Sequence, residues 1–222
     1  MLKNIGHNIF GAFLIVITVL LPFLKSRFET WGATREEINH ALPGDELVPN
    51  SRGGYDHAVT IKAPAKRVWP WLLQLGQGRG GFYSYELLEN LVGCKMRNVD
   101  RLIPGLQKLG VGDKIPMHPK MGVPYRVAEI VPERALVLEI RVNSKTGEVF
   151  APGEKIPETY QNSSWVLYLE ESSEGTTRLL SRSRNDYNRS FANTLVFGIF
   201  GPVSVVMDRK MLLGIKHRAE RF

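Results

Sequence analysis

The residues best suited to chemistry crowd between Ala63 and Gly93, in APAKRVWPWLLQLGQGRGGFYSYELLENLVG. Gly76-Gln77-Gly78-Arg79-Gly80-Gly81 approaches G-x-G-x-x-G, a phosphate-cradling motif that must follow a strand and open a helix. Here a helix precedes it, with Val68, Trp71, Leu72 and Leu75 on one face. The glycines therefore read as a turn between two helices, supplying positive backbone dihedrals. Glu86 and Glu89 lie three residues apart on a second helix, a spacing open to metal ligation or acid–base work. No histidine accompanies them, and solvated surface carboxylates account for the pair better. Tyr83 with Glu89 is a further acid–base pair if both enter one cavity. Cys94 follows an apolar run, where a cysteine ordinarily packs as a small hydrophobe. His57, the one histidine of the first strand, is left without a role.

Those residues need elements to position them. Tyr55 to Lys62 alternates as a strand, with Tyr55, His57, Val59 and Ile61 on one face. Pro64 opens the first helix, Pro70 bends it, and the second helix runs from a Ser84 cap to Val92, ending at Gly93. Strands are then predicted over 114–118, 123–131, 135–142, 164–170 and 176–184, with Glu174-Gly175 turning the last hairpin. Alternation and short connections imply an antiparallel sheet with one face buried. Residues 190–207 are uncharged but carry Gly198, Gly201 and Pro202, which argue against a continuous span. Beyond them Val203, Met207, Met211 and Ile215 form the apolar stripe of a long helix laid on the sheet.

Upstream, residues 4–24 carry no formal charge, and at about 1.5 Å per residue they could cross a hydrocarbon core of about 30 Å. The following PFLKSRF lacks the small residues of a cleavage site, so an uncleaved transmembrane helix is the expectation. Lys25, Arg27 and Arg35 outweigh Lys3, which places the remainder on the cytoplasmic side of a single-pass membrane protein. The chain divides into an anchor over 1–27, a linker packing on the domain over 28–54, and a domain over 55–222. Within the linker, Thr34 and Glu37 have capping-box spacing.

Composition is that of a globular protein, 43% hydrophobic and 23% charged over 222 residues, enough for one core without metals or crosslinks. One cysteine excludes an intrachain disulfide. A net charge of +7 invites nucleic acid, but the basic residues are scattered and form no zinc-finger or aromatic–basic pattern. Anionic lipid headgroups account for the same surplus. Neither a cofactor nor a metal is called for.

The order of strand, helix–turn–helix, antiparallel strands and long terminal helix resembles the α+β helix-grip fold of the START-like (SRPBCC) superfamily, which includes polyketide cyclase/dehydrase-like proteins. TIKAPAKRVWPWL is similar to its opening strand and helix. LPGDELV, VWPWLLQLGQGRGGFYSYELLENLVG and MDRKMLLGIKHRAE resemble a set of membrane-anchored bacterial members. The resemblance implies a cavity between the sheet and the C-terminal helix, suited to a hydrophobic small molecule or lipid. Its candidate lining is Trp71, Phe82, Tyr83, Tyr85, Trp165, Met207 and Met211, with Arg79, Glu89, Asp100 and Arg182 as polar groups at the mouth. Two alternatives stay open: a cyclase- or hydrolase-type enzyme acting on an apolar substrate, and an interaction module whose cavity is filled by its own side chains. No catalytic residue is assigned.

Overall fold

The computed structural model describes residues 2–20, 24–120, 122–151 and 153–221. Helices α1 (Leu2–Leu20), α2 (Lys25–Glu29) and α3 (Arg35–Asn39) precede strand β1 (Gly53–Ile61). Next come α4 (Ala65–Leu73), α5 (Glu86–Leu91), β2 (Lys114–Ile115), β3 (Tyr125–Val131), β4 (Ala135–Asn143), β5 (Tyr160–Glu171), β6 (Thr177–Tyr187) and α6 (Phe191–Ala219). The strands form one antiparallel sheet in the order β1-β6-β5-β4-β3-β2. This α+β arrangement, a six-stranded antiparallel sheet with a long C-terminal helix across it, fits a helix grip.

Strand alternation divides the core. Val59, Ile61, Leu136, Leu138, Trp165, Leu167 and Leu179 meet α4 and α6, where Val68, Leu72, Leu212 and Ile215 are fully buried. Their neighbours Ala58, Val137, Val166, Tyr168 and Leu180 point the other way. The sheet was expected to bury one face, and both are covered. Leu42 and Leu47, from the segment before β1, close the second face. That segment begins with the expected capping box, Thr34 Oγ1 accepting from the Glu37 amide and Glu37 accepting from the Thr34 amide.

Three local expectations are corrected. Ser84 does not cap α5; its hydroxyl donates to the Met207 carbonyl, 2.9 Å away on α6, and the helix starts at Glu86. Neither Gly198, Gly201 nor Pro202 interrupts α6. A proline removes one helical hydrogen bond, and the packed C-terminal half of α6 holds the helix through that loss. The third concerns the predicted membrane span over 4–24. Among the described residues no helix is long and apolar enough to cross a membrane. α1 instead lies along α6, with Gly11 buried so closely on the Tyr85 ring that a Cβ would sit 2.8 Å from ring carbons. Residues 21–23 lie outside the described residues. Hydropathy counts apolar side chains without knowing that one side of the helix is occupied by the rest of the chain. The other side leaves Ile9, Phe10, Phe13 and Val16 more than half exposed.

Candidate functional site

The glycine-rich turn positions the first group of candidates. Gly76, Gly78 and Gly81 have positive φ, and the Gly76 and Gly81 backbones pair across the turn. Arg79 turns back on the preceding helix. Its guanidinium folds back onto the carbonyls of Leu73 (2.8 Å) and Leu75 (3.0 Å), closing the C-terminus of α4. Tyr83 follows with φ 55°, held by its amide donating to Asn98 Oδ1 at 2.7 Å. α6 crosses here through Gly214, where a Cβ would meet the Tyr83 carbonyl oxygen at 2.3 Å. The Tyr83 hydroxyl accepts from Gln74 Nε2 (2.9 Å) and donates to the Trp71 carbonyl (3.3 Å), while Arg218 stacks over the ring. Burial pushes this phenol up to about 12.

Trp71, Phe82, Tyr83, Trp165 and Met211 therefore do meet, in the core between sheet, α4 and α6. Other candidates lie elsewhere. Tyr85 carries α1 through Gly11, with Lys210 over its ring. Met207 is half-buried and engaged through its carbonyl by Ser84. Asp100 is exposed and pairs with Arg218 at 2.7 Å. Arg182, expected at the cavity mouth, sits on the opposite sheet face. There its guanidinium binds Asp45 and Asp56, each at 2.6 Å, and the carbonyls of Glu37, Ile38 and His40.

Glu89 corrects another expectation: it is 8% exposed rather than a solvated surface charge, and Oε2 has no hydrogen-bond partner. Among the described residues no hydrogen bond joins it to Tyr83, so the Tyr83–Glu89 acid–base pair has no geometric support. Burial, with a smaller contribution from Glu86, raises the Glu89 carboxyl from 4.5 to about 7. A carboxyl raised in the folded state binds its proton more tightly there, so the folded chain is favoured at low pH. That advantage is lost as pH climbs from 4.5 through about 7. At about 1.4 kcal/mol per pH unit, Glu89→Gln should gain on the order of 2–3 kcal/mol above neutrality and flatten the profile. Urea midpoints across this range check it; an unchanged midpoint for the variant would place the carboxylate in water.

Sequence reasoning missed the polar centre of the sheet–α6 interface. Asp208 of α6, 5% exposed, reaches His57 Nδ1 at 2.7 Å. It also accepts from the Ser181 hydroxyl at 2.7 Å and from the Tyr55 hydroxyl at 3.1 Å. Trp165 Nε1 donates to Ser181 Oγ at 2.9 Å, and Tyr55 stacks on the His57 ring. Burial and the Asp208 charge hold the Tyr125 phenol up at about 12. His57, Ser181 and an aspartate invite a nucleophilic relay, but the connectivity is wrong for one. His57 Nε2 lies 2.8 Å from the Phe28 carbonyl, which only accepts, so this nitrogen carries its hydrogen. Ser181 donates to the aspartate and not to the imidazole. The network is a lock joining α6, the sheet and α2. His57 was the one visible signal.

Beside the lock an open groove of about 340 Å³ runs between α1, α2 and α6. Phe10, Leu14, Leu24, Phe28, Trp31, Val205 and Val206 form its apolar walls, and Arg27 and Arg209 also border it. Arg209 is held over the Trp31 ring, 4.8 Å from its centroid, and Trp31 stands edge-on to His57. No single stretch of sequence signals this groove, because its walls come from three separated segments.

No family model and no curated protein sequence matches the chain. Solved structures with a similar course of the backbone include a conserved protein from Geobacillus kaustophilus, 13% identical with TM-score 0.41, covering 76% of this chain and 95% of that one. The Zhui aromatase/cyclase from Streptomyces sp. R1128 is 12% identical with TM-score 0.33, over 76% of this chain and 94% of that one. Truncated norcoclaurine synthase from Thalictrum flavum is 13% identical with TM-score 0.37, over 72% and 92%. At such TM-scores none of these bears on what this chain binds.

Proposed function

We propose that this chain is a membrane-attached helix-grip domain that binds a hydrophobic small molecule or lipid. The observation that carries the reading is the groove between α1, α2 and α6. Its volume, about 340 Å³, falls at the small end of the roughly 300–1,000 Å³ usual for ligand sites, and its walls are aromatic and aliphatic. The Asp208 network occupies the space between sheet and α6, so the groove takes the place of the sheet–helix cavity as the ligand site. Attachment rests on α1. Ile9, Phe13 and Val16 recur along its outer side, an apolar face suited to lying in the interfacial layer of a bilayer, on the cytoplasmic side. A second reading, a protein-interaction module with a filled interior, is favoured by the same network closing the core.

The full chain, purified in mild detergent and offered a total lipid extract, separates the two. Native mass spectrometry should show one retained apolar molecule per chain, and Val206→Trp, which fills the groove, should lower its occupancy at least about tenfold. A chain that emerges bare and gains no thermal stability from any lipid pool sinks the ligand reading in favour of the interaction module.

A further inference from the structure

We infer that the groove selects an anionic phospholipid, its phosphate gripped by Arg27 and Arg209. This rests on the lipid-binding reading above and adds the chemistry of the head group. Arg27 and Arg209 border an otherwise apolar groove, and among the described residues no acidic side chain lines it. Seven of the seventeen arginines are neutralised within the fold. Arg52, Arg126, Arg141, Arg178, Arg182, Arg184 and Arg218 each reach a carboxylate. Among the described residues neither Arg27 nor Arg209 has a carboxylate within the 4.0 Å that defines those pairs. Two unneutralised cations beside an apolar slot are complementary to one kind of molecule, an acyl chain joined to an anion.

The geometry is also prepared in advance. The Trp31 ring holds the Arg209 guanidinium, its Cζ 4.8 Å from the ring centroid, and a guanidinium suits paired hydrogen bonds to phosphate oxygens. Arg27 stands in α2, one residue before Phe28, whose carbonyl is tied to the sheet by His57. Both cations are therefore carried by backbone that the Asp208 lock holds in place. The bilayer is the source of the ligand, because the exposed stripe Ile9, Phe13 and Val16 lies on the helix that also supplies Phe10 and Leu14 to the groove.

Flotation of the full chain with vesicles tests this, comparing neutral phosphatidylcholine with a mixture of phosphatidylcholine and phosphatidylglycerol. The wild type should favour the mixed vesicles. The double variant R27Q/R209Q should lose about 10- to 30-fold of that affinity, at roughly the usual contribution of a basic residue near a charged membrane surface. K145Q/K155Q removes the same charge from an exposed loop and should change it less than about twofold. Equal binding of wild type and R27Q/R209Q to both vesicle types overturns the head-group inference and leaves the lipid-binding reading standing. An equal loss in K145Q/K155Q overturns it too, because diffuse charge would then be the cause. So does full competition by excess inorganic phosphate, which would mark a free-anion site. No binding to either vesicle removes this inference and the lipid reading together.

Discussion

Asp208→Ala should lower the unfolding free energy by about 3–5 kcal/mol, because it takes the shared acceptor from several buried polar groups, at about 1–3 kcal/mol each. The loss is larger than one contact because the carboxylate serves His57, Tyr55 and Ser181 at once, all with little access to water. Without it, two hydroxyls and an imidazole are stranded between sheet and α6, and each buried polar group without a partner costs about 1–3 kcal/mol. Asp208→Asn keeps an acceptor at the same place and should cost less. The double variant with His57→Gln isolates one contact: if the His57–Asp208 contact dominates, it should be less destabilised than the sum of the single changes. Urea denaturation of the full chain in mild detergent reads all of these. An unfolding free energy for Asp208→Ala within about 1 kcal/mol of wild type would falsify the lock, since that is no more than a single hydrogen bond contributes.

Arg182→Met should be comparably destabilising, by about 3–5 kcal/mol, and its effect should be local to the opposite face. The guanidinium spends its Nε and both terminal nitrogens on two aspartates and three carbonyls of the segment before β1. That segment holds Leu42 and Leu47 over Ala58, Val137, Val166 and Leu180, so freeing it exposes one of the two faces of the sheet. Amide exchange should rise across residues 37–48 before the strands are affected. Arg182→Lys should not restore protection, because an ammonium offers three donors from one point where the guanidinium presents a planar fork. Unchanged exchange in this segment for Arg182→Met would show that apolar packing alone retains it.

The two residues differ in how legible they were. Arg182 was singled out as a polar group and placed on the wrong face. Arg178, Arg182 and Arg184 lie on the side of β6 away from Ser181, but nothing in a strand's own sequence says which side receives the helix. The decision came from Leu42 and Asp45, some 140 positions earlier, whose stretch reads as linker because its turns hide any period. Asp208 was passed over because a single acid on an apolar stripe is indistinguishable from a surface charge until its partners on β1 and β6 are in place.

What the amino-acid sequence determined by itself is the succession of elements. Period-two alternation placed β1 and β4 close to their observed limits and found the middles of β5 and β6, and helical spacing found α4 and the C-terminal half of α6, because both signals are local. The turn at Gly76–Gly81 followed from positive dihedrals and from the helix before it, which removed the dinucleotide reading. Only the tertiary structure decided the rest. It folded Arg79 back onto α4, buried Glu89, filled the centre of the helix grip with Asp208 and His57, and laid α1 on Tyr85. Each is a contact between segments far apart in the chain, whose free energy depends on desolvation and fit that no local pattern encodes. For the same reason the Ala63–Gly93 stretch, richest in chemical side chains, turned out to be core and cap, while the groove arose where three segments far apart in the chain met.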